Sequence, residues 1–350
     1  MTRIDTFSGT ADELAQFVGK VWSDSYTGKM SFIHWTPEYL QWQLRLDDPQ
    51  QRNNLLAAYD GNTLVGVLLG INHSFRVESE VIPGSLWSWL SVRSDYRGRD
   101  IVKALDEERQ RRQREAGSKL IASFRYFGTR HSLAERPVNR TPQQYSSRLG
   151  FWARVLNPAR FGRWHVKRLE ANLGALSGPF APVPRLEHKG TTICRFRHED
   201  LDECLELVRN SYSTVKFSVD WAKPSLAHQL AGNSLSHTLL LKEGGRICGL
   251  INFHVLPFQS RTIEKVGVID LLAFGGGSSR KQAQLVDAAL AEMRALDAIL
   301  ALKLRSGDAP AVPLLRNCFV PQHADSFVVL RWLDRTRELP ENIPMHLLWR

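Results

Sequence analysis

Two stretches of this 350-residue chain carry one pattern at one spacing. From Leu56 to Leu68 an apolar strand stops at Asp60-Gly61 and resumes through Leu64-Val65-Gly66-Val67. From Leu239 to Ile251 another stops at Glu243-Gly244 and resumes through Ile247-Cys248-Gly249-Leu250. In the same register Arg97 falls on Arg280, and each arginine stands where a strand and a loop give way to a helix. Two copies of one supersecondary unit is the simplest reading. Residues 174–190 hold three prolines and three glycines without periodicity and read as a connector. The chain is long enough for two cores of ordinary size. The expected division is a first domain over residues 1–173, a linker over 174–190 and a second domain over 191–350.

Each copy reads helix, hairpin, strand, loop, helix, strand. In the first, Ala11 to Val21 has apolar residues at helical spacing, with Thr10 as N-cap and Asp12 and Glu13 in the first turn. A hairpin turns at Asp60-Gly61-Asn62. Ile101 to Glu115 is a helix with Glu107/Arg111 and Glu108/Arg112 at i,i+4 spacing and Gly117 beyond its end, and Lys119 to Phe124 follows as a buried strand. The second copy runs as helix His198–Arg209, hairpin Thr238–His254, strand Val266–Phe274, helix Arg280–Leu296 and strand Ala298–Leu304. The fold class is therefore α+β, helices packed on mixed sheets.

The segment Leu90 to Leu105 reads as strand end, tight basic loop and helix start. Such a turn offers unpaired backbone N–H groups and the positive end of a helix dipole, and Arg97 and Arg99 add full charges, so it can hold a pyrophosphate. The plainer alternative is that Arg97 and Arg99 form only a solvated basic turn. The formal net charge of +10 fits an anionic partner: a polyphosphate cosubstrate, a nucleic acid or a membrane surface. The arginine-rich run Arg109–Arg114 has no interleaved aromatics and reads as a solvated helix face, against nucleic-acid binding. Cys194, Cys204, Cys248 and Cys318 show no C-x-x-C spacing, which indicates neither zinc nor a disulfide framework and fits a reducing cytoplasm. No run reaches the ~18 apolar residues of a membrane span, and the first residues contain no apolar signal segment.

The order of elements, Tyr96-Arg97-Gly98-Arg99-Asp100-Ile101 after the fourth strand and Ser147-Arg148-Leu149-Gly150-Phe151 near the end of the first half together resemble the GCN5-related N-acyltransferase superfamily. Its loop pattern is Arg/Gln-x-x-Gly-x-Gly/Ala; this chain keeps Arg97 but has Asp100 and Val102 at the two small positions. A closer resemblance is to the N-myristoyltransferases, whose loop also lacks those glycines. Thr36-Pro37-Glu38-Tyr39-Leu40-Gln41-Trp42, Trp152-Ala153-Arg154-Val155-Leu156-Asn157-Pro158-Ala159-Arg160 and Phe253-His254-Val255-Leu256-Pro257 are similar to short segments of that family. The resemblance implies two tandem units, each a mixed, mostly antiparallel sheet flanked by helices. The first would bind an acyl donor and the second would serve the acceptor.

Acyl transfer from a thioester to an amine requires a held donor, a stabilised oxyanion and a proton acceptor. For an acyl-CoA donor, or an acyl carrier protein, the resemblance implies a cradle of Ser91, Val92, Arg97, Gly98, Arg99, Asp100, Ile101, Val102 and Lys103. It places the oxyanion donors at the backbone N–H groups of Trp89 and Leu90, where a bulge parts the strands; such donors are worth about 3 kcal/mol each when well aimed. Trp87 and Trp89 also read as plain core. Ser85 to Val92 contains no carboxylate, so the base comes from elsewhere: the terminal carboxylate at Arg350, as the resemblance implies, or Asp270 inside the apolar strand. His73 and His254 are weaker candidates, and Tyr145, one residue before the superfamily's usual acid position at Ser146, is the candidate acid. Glu78, Glu80 and Asp220 could hold a cationic acceptor. The expected activity is transfer of an acyl group, a fatty one by resemblance, to a primary amine of a peptide or small molecule. No metal is expected. The alternatives are short-chain acetyl transfer and an inactive binding module.

Overall fold

The structure, a computed structural model, describes residues 2–126, 144–176, 182–186, 190–232, 234–322, 326–334 and 337–349. The chain forms two compact units. Unit 1 comprises Met1–Arg148 and Asp325–Asn342; unit 2 comprises Leu149–Ala324 and Ile343–Trp349. The units interleave in sequence, and the helix Arg168–Leu176 carries regular structure into the first three residues of the expected linker.

Unit 1 opens with β1 (Arg3–Thr6) and α1 (Ala11–Tyr26). Thr10 and Glu13 form a reciprocal capping box at the start of α1. The helix runs past the expected end at Val21 because nothing in the sequence breaks it before Gly28, whose φ of 75° needs a glycine. The segment Thr36–Trp42 contributes α2 (Pro37–Leu44), capped by Thr36 Oγ1, which accepts from the Tyr39 N–H at 3.2 Å, and begun by a proline whose missing N–H costs nothing there. Strands β2 (Leu55–Asp60), β3 (Thr63–Val77) and β4 (Glu80–Val92) form a meander; α3 (Ile101–Glu115) then crosses to β5 (Leu120–Tyr126). The sheet order is β1-β2-β3-β4-β5 followed by the strand Ser326–Trp332, with only the β4/β5 pair parallel. The α3 helix packs on the sheet through Ile101 and Leu105 beside Leu56, Leu68 and Trp87. Gly66 admits that approach: a Cβ there would lie 3.1 Å from Ile101 Cγ2.

Unit 2 has the same succession. Its strands are β6 (Gln144–Val155, entering the unit at Leu149), β7 (Thr192–Arg195), β8 (Ser236–Glu243), β9 (Arg246–Gln259), β10 (Ile263–Phe274) and β11 (Ala298–Arg305), ordered β7-β8-β9-β10-β11-β6. Again one pair, β10/β11, is parallel. The helices α4 (Leu201–Ser211), α5 (Lys223–Ala231) and α6 (Ser279–Ala295) accompany this sheet, and α6 buries Leu285, Val286, Ala289 and Met293 in its core. In each unit the sixth strand comes from a distant part of the sequence. Residues 150–155 pair with β11, and Ser326–Trp332 pairs with β5.

Candidate functional site

In unit 1 the β3/β4 ladder slips at one point: Val67 pairs with Ser91, but Leu69 pairs with Ser88. Two residues of β4, Trp89 and Leu90, thus stand against Leu68 alone. Trp89 takes φ 51°, a left-handed value rare for a bulky side chain and characteristic of a bulge that re-aims the backbone. On its other edge β4 pairs with β5 from Gly84↔Leu120 to Trp87↔Ser123, so that ladder ends before Trp89 and Leu90. The bulge lies at the point where two parallel strands part. The indole of Trp89 is buried while the Leu90 side chain is 43% exposed.

One turn of α1 holds both the bulged strand and the loop that follows it. Trp22 Nε1 donates to Ser91 Oγ at 2.9 Å, and Ser91 Oγ donates to the Trp89 carbonyl at 3.3 Å. Three residues along the same helix face, Ser25 Oγ accepts from Arg97 Nη2 at 2.6 Å. The loop is stiffened internally: Arg93 pairs with Asp95 at 2.7 Å, Arg99 lies 4.5 Å from the Tyr96 ring centroid, and the Tyr96 hydroxyl donates to Asp60 Oδ2 at 3.0 Å. Arg97 meets a neutral hydroxyl, so its full charge stays available to an anion.

The start of α3 is open. Asp100, at the N-cap, would ordinarily accept from first-turn N–H groups. Here its φ of 59° and ψ of 13° turn the side chain away, and it makes no capping bond. The N–H groups of Ile101, Val102 and Lys103 therefore point outward under the positive end of a 15-residue helix, beside Gly98, whose φ is 76°. The corresponding start in unit 2 is closed. Ser278 caps α6 by accepting from the Lys281 N–H at 3.4 Å, Lys281 pairs with Glu243 at 3.2 Å, and a Cβ on Gly277 would stand 3.4 Å from Glu243 Oε1. A capped helix start beside a carboxylate has little to offer a phosphate.

Unit 2 also has a bulge. Asn252 pairs with Leu271 and Phe253 with Ile269, which leaves Asp270 as the extra residue. Its carboxylate is buried; Oδ2 lies 3.0 Å from His254 Nδ1 and accepts from Gln229 Nε2 at 2.9 Å, while Gln229 Nε2 also reaches Asn252 Oδ1 at 2.9 Å. Past the last β10/β11 pair, Ile269↔Lys303, Tyr212 takes the place of a strand partner: its hydroxyl accepts from the Leu272 N–H at 3.2 Å and lies 3.3 Å from the Leu272 carbonyl. The Tyr212 ring stacks on His346 with centroids 3.8 Å apart and planes 8° from parallel. His346 arrives with Met345 on a two-residue strand parallel to Phe217–Ser218. Below it Asp308 accepts from Lys303 Nζ at 2.7 Å and contacts His346 Nδ1 at 3.1 Å. In unit 2 the place beyond the last β10/β11 pair is filled by Tyr212.

The other candidates fall as follows. The Tyr145 hydroxyl donates to the Pro340 carbonyl at 3.1 Å. Glu80 is engaged by Arg337 at 2.8 Å, Glu78 sits at a hairpin turn with φ 56°, and Asp220 ends the short strand Phe217–Asp220 half-buried. His73 lies on β3 opposite Gly84. Arg350 lies outside the described residues. Sequence reasoning missed Trp22 and Ser25; their spacing on the α1 face was a usable signal. It also missed Lys303, Asp308 and His346, which only the packing of separate segments brings together. No described helix is long and apolar enough to cross a membrane.

The strand order, the bulge where parallel strands part and the open helix start define a fold of the GCN5-related N-acyltransferase class. Within that fold the structure is similar to N-myristoyltransferases. The Saccharomyces cerevisiae N-myristoyltransferase with bound myristoyl-CoA superposes with a TM-score of 0.78 at 13% identity, covering 100% of this chain and 89% of that one. A second structure of that protein with bound myristoyl-CoA gives 0.76 at 15% identity over 94% of this chain and 78% of that one. A GCN5-related N-acetyltransferase from Kribbella flavida gives 0.55 at 15% identity over 95% and 72%. The sequence matches no family model and no curated protein.

Proposed function

We propose that this chain is an acyl-CoA-dependent N-acyltransferase whose donor binds in unit 1. The observation that carries the reading is the uncapped start of α3, held with the Trp89 bulge by a single turn of α1. A pyrophosphate would sit on the N–H groups of Ile101 to Lys103 with Arg97 as counter-charge, and the thioester carbonyl would meet the backbone N–H groups of Trp89 and Leu90. An amine nitrogen would attack that carbonyl, the tetrahedral oxyanion would be held by those donors, and the C–S bond would break to release CoA as a thiolate, which takes up the proton that the nitrogen gave to a base or water. The fold it shares with proteins solved holding myristoyl-CoA supports an acyl-CoA donor over a free acid. The closed start of α6 supports one donor per chain.

The test is thermal stabilisation by CoA, acetyl-CoA, octanoyl-CoA and myristoyl-CoA, followed by product detection with a panel of primary amines. A donor at a hundred times its Kd adds about 2.7 kcal/mol of stability. A longer chain that stabilises more supports a fatty donor; acetyl-CoA alone stabilising supports the short-chain alternative. No shift with any of the acyl-CoAs would overturn the reading.

A further inference from the structure

Among the described residues four indoles lie on or against β4, and acceptors are present for two of them. Trp22 Nε1 donates to Ser91 Oγ at 2.9 Å and Trp87 Nε1 to Ser85 Oγ at 2.7 Å. Trp35 Nε1 and Trp89 Nε1 meet no acceptor among the described residues, although Trp35 is 4% exposed and Trp89 1%. These two are neighbours, their ring centroids 5.6 Å apart with planes at 76°. Their surroundings are aromatic: Trp22 lies 5.2 Å and Tyr39 5.7 Å from Trp35.

A buried N–H without a partner costs about 1–3 kcal/mol, and phenylalanine would preserve much of the ring packing without that cost. Two such donors in contact, one of them on the bulge residue itself, mark a place completed by an acceptor from outside the described residues. A single water is a poor occupant, since it needs about two to four polar partners and rings supply few. A carboxylate would be a buried charge among aromatic rings, which disfavours it. The acceptor that fits is a neutral oxygen.

We propose that Trp35 and Trp89 form a hydrogen-bonding subsite for an oxygen on the acyl group, so that a hydroxy- or oxo-substituted acyl thioester is favoured over a plain hydrocarbon chain. This rests on the reading of unit 1 as the donor site, since Trp89 forms the wall beside which the acyl end would lie.

The test titrates the full chain with octanoyl-CoA, 3-hydroxyoctanoyl-CoA and 3-oxooctanoyl-CoA. At least one oxygen-bearing donor is expected to bind about 10-fold more tightly than octanoyl-CoA. Trp35→Phe, which deletes the N–H and keeps a ring, is expected to bring that ratio near one. In 15N-indole spectra of the unaltered chain, two tryptophan N–H resonances should move downfield with the favoured donor and stay in place with octanoyl-CoA, which reads the contact without any variant. Equal affinity for the three donors, or unmoved indole resonances, would overturn the subsite and leave the donor reading intact. Failure of all three to bind would overturn both.

Discussion

The indole N–H of Trp221 points at Nε2 of His346, 3.4 Å away, and that contact fixes the protonation state of a buried histidine. An indole nitrogen can only donate, so Nε2 must accept, and the imidazole carries its single proton on Nδ1, where it donates to Asp308 Oδ2 at 3.1 Å. Burial favours this neutral form and holds the His346 pKa below the ordinary value of 6.5.

The first prediction concerns acid stability. A histidine whose folded pKa is depressed is protonated more readily in the unfolded chain. Its contribution is therefore full above the unfolded value near 6.5 and is lost as pH falls from there towards the folded value. Asp308 acts in the same direction lower down: burial alone would raise its pKa, but Lys303 and His346 outweigh it and hold the value at about 2, so its contribution is present above 3.8 and is lost as pH falls towards 2. Urea midpoints of the unaltered chain should drop between pH 7.5 and pH 5 by more than those of His346→Gln. Equal drops would show that His346 is not a source of the pH dependence.

Asp308 also neutralises Lys303, whose ammonium is buried. Asp308→Ala should destabilise the chain by about 3–5 kcal/mol because it strands that charge. Adding Lys303→Met should recover a substantial part of the loss, giving a coupling energy of about 1–3 kcal/mol in a double-mutant cycle. Additive losses would mean that the pair does not interact as its geometry indicates.

At the open start of α3, charge changes should act oppositely on donor affinity. Arg97→Ala should weaken acyl-CoA binding by about 10-fold and flatten its salt dependence, since one charge-assisted contact is lost. Asp100→Asn removes a like charge beside the phosphates and keeps a residue that tolerates the left-handed backbone, so binding should tighten by a few-fold. Calorimetric titration reads both. Weaker binding by Asp100→Asn would identify the carboxylate as a ligand contact and contradict the proposed pyrophosphate position.

The sheet beside the bulge tests packing. Gly70 faces Trp87, and a Cβ there would stand 2.4 Å from Trp87 Cδ2. Gly70→Ala should cost about 1–3 kcal/mol in chemical denaturation and alter tryptophan fluorescence, because Trp87 must leave its place. Unchanged stability would show that the ring has room to move.

Much of the scaffold was legible in local pattern. The turns at Gly61 and Gly244, the capping of α1 by Thr10 and the boundaries of α3 follow from residues within a few positions of one another, where propensity and capping act. The bulge at Trp89 was legible only through family resemblance, since nothing in Trp-Ser-Trp-Leu-Ser distinguishes a slipped ladder from a regular one. Its φ of 51° is imposed by pairing with β3. Asp100 shows the opposite case: its residue type argues for a capping side chain, and the backbone delivered by the loop overrides it.

The sequence by itself determined the repeated order of elements and the basic loop at Arg97, because hydrophobic period, turn residues and charge are properties of neighbours. Tertiary structure alone decided that Trp22 and Ser25 would brace the bulge and the loop from one helix face. It alone decided that Trp35 and Trp89 would meet with no acceptor among the described residues and that Lys303, Asp308 and His346 would share one buried site. Hydrogen bonds and ion pairs form between whatever groups the packed backbone brings within about 3 Å, and residues separated by tens or hundreds of positions leave no local trace of that approach.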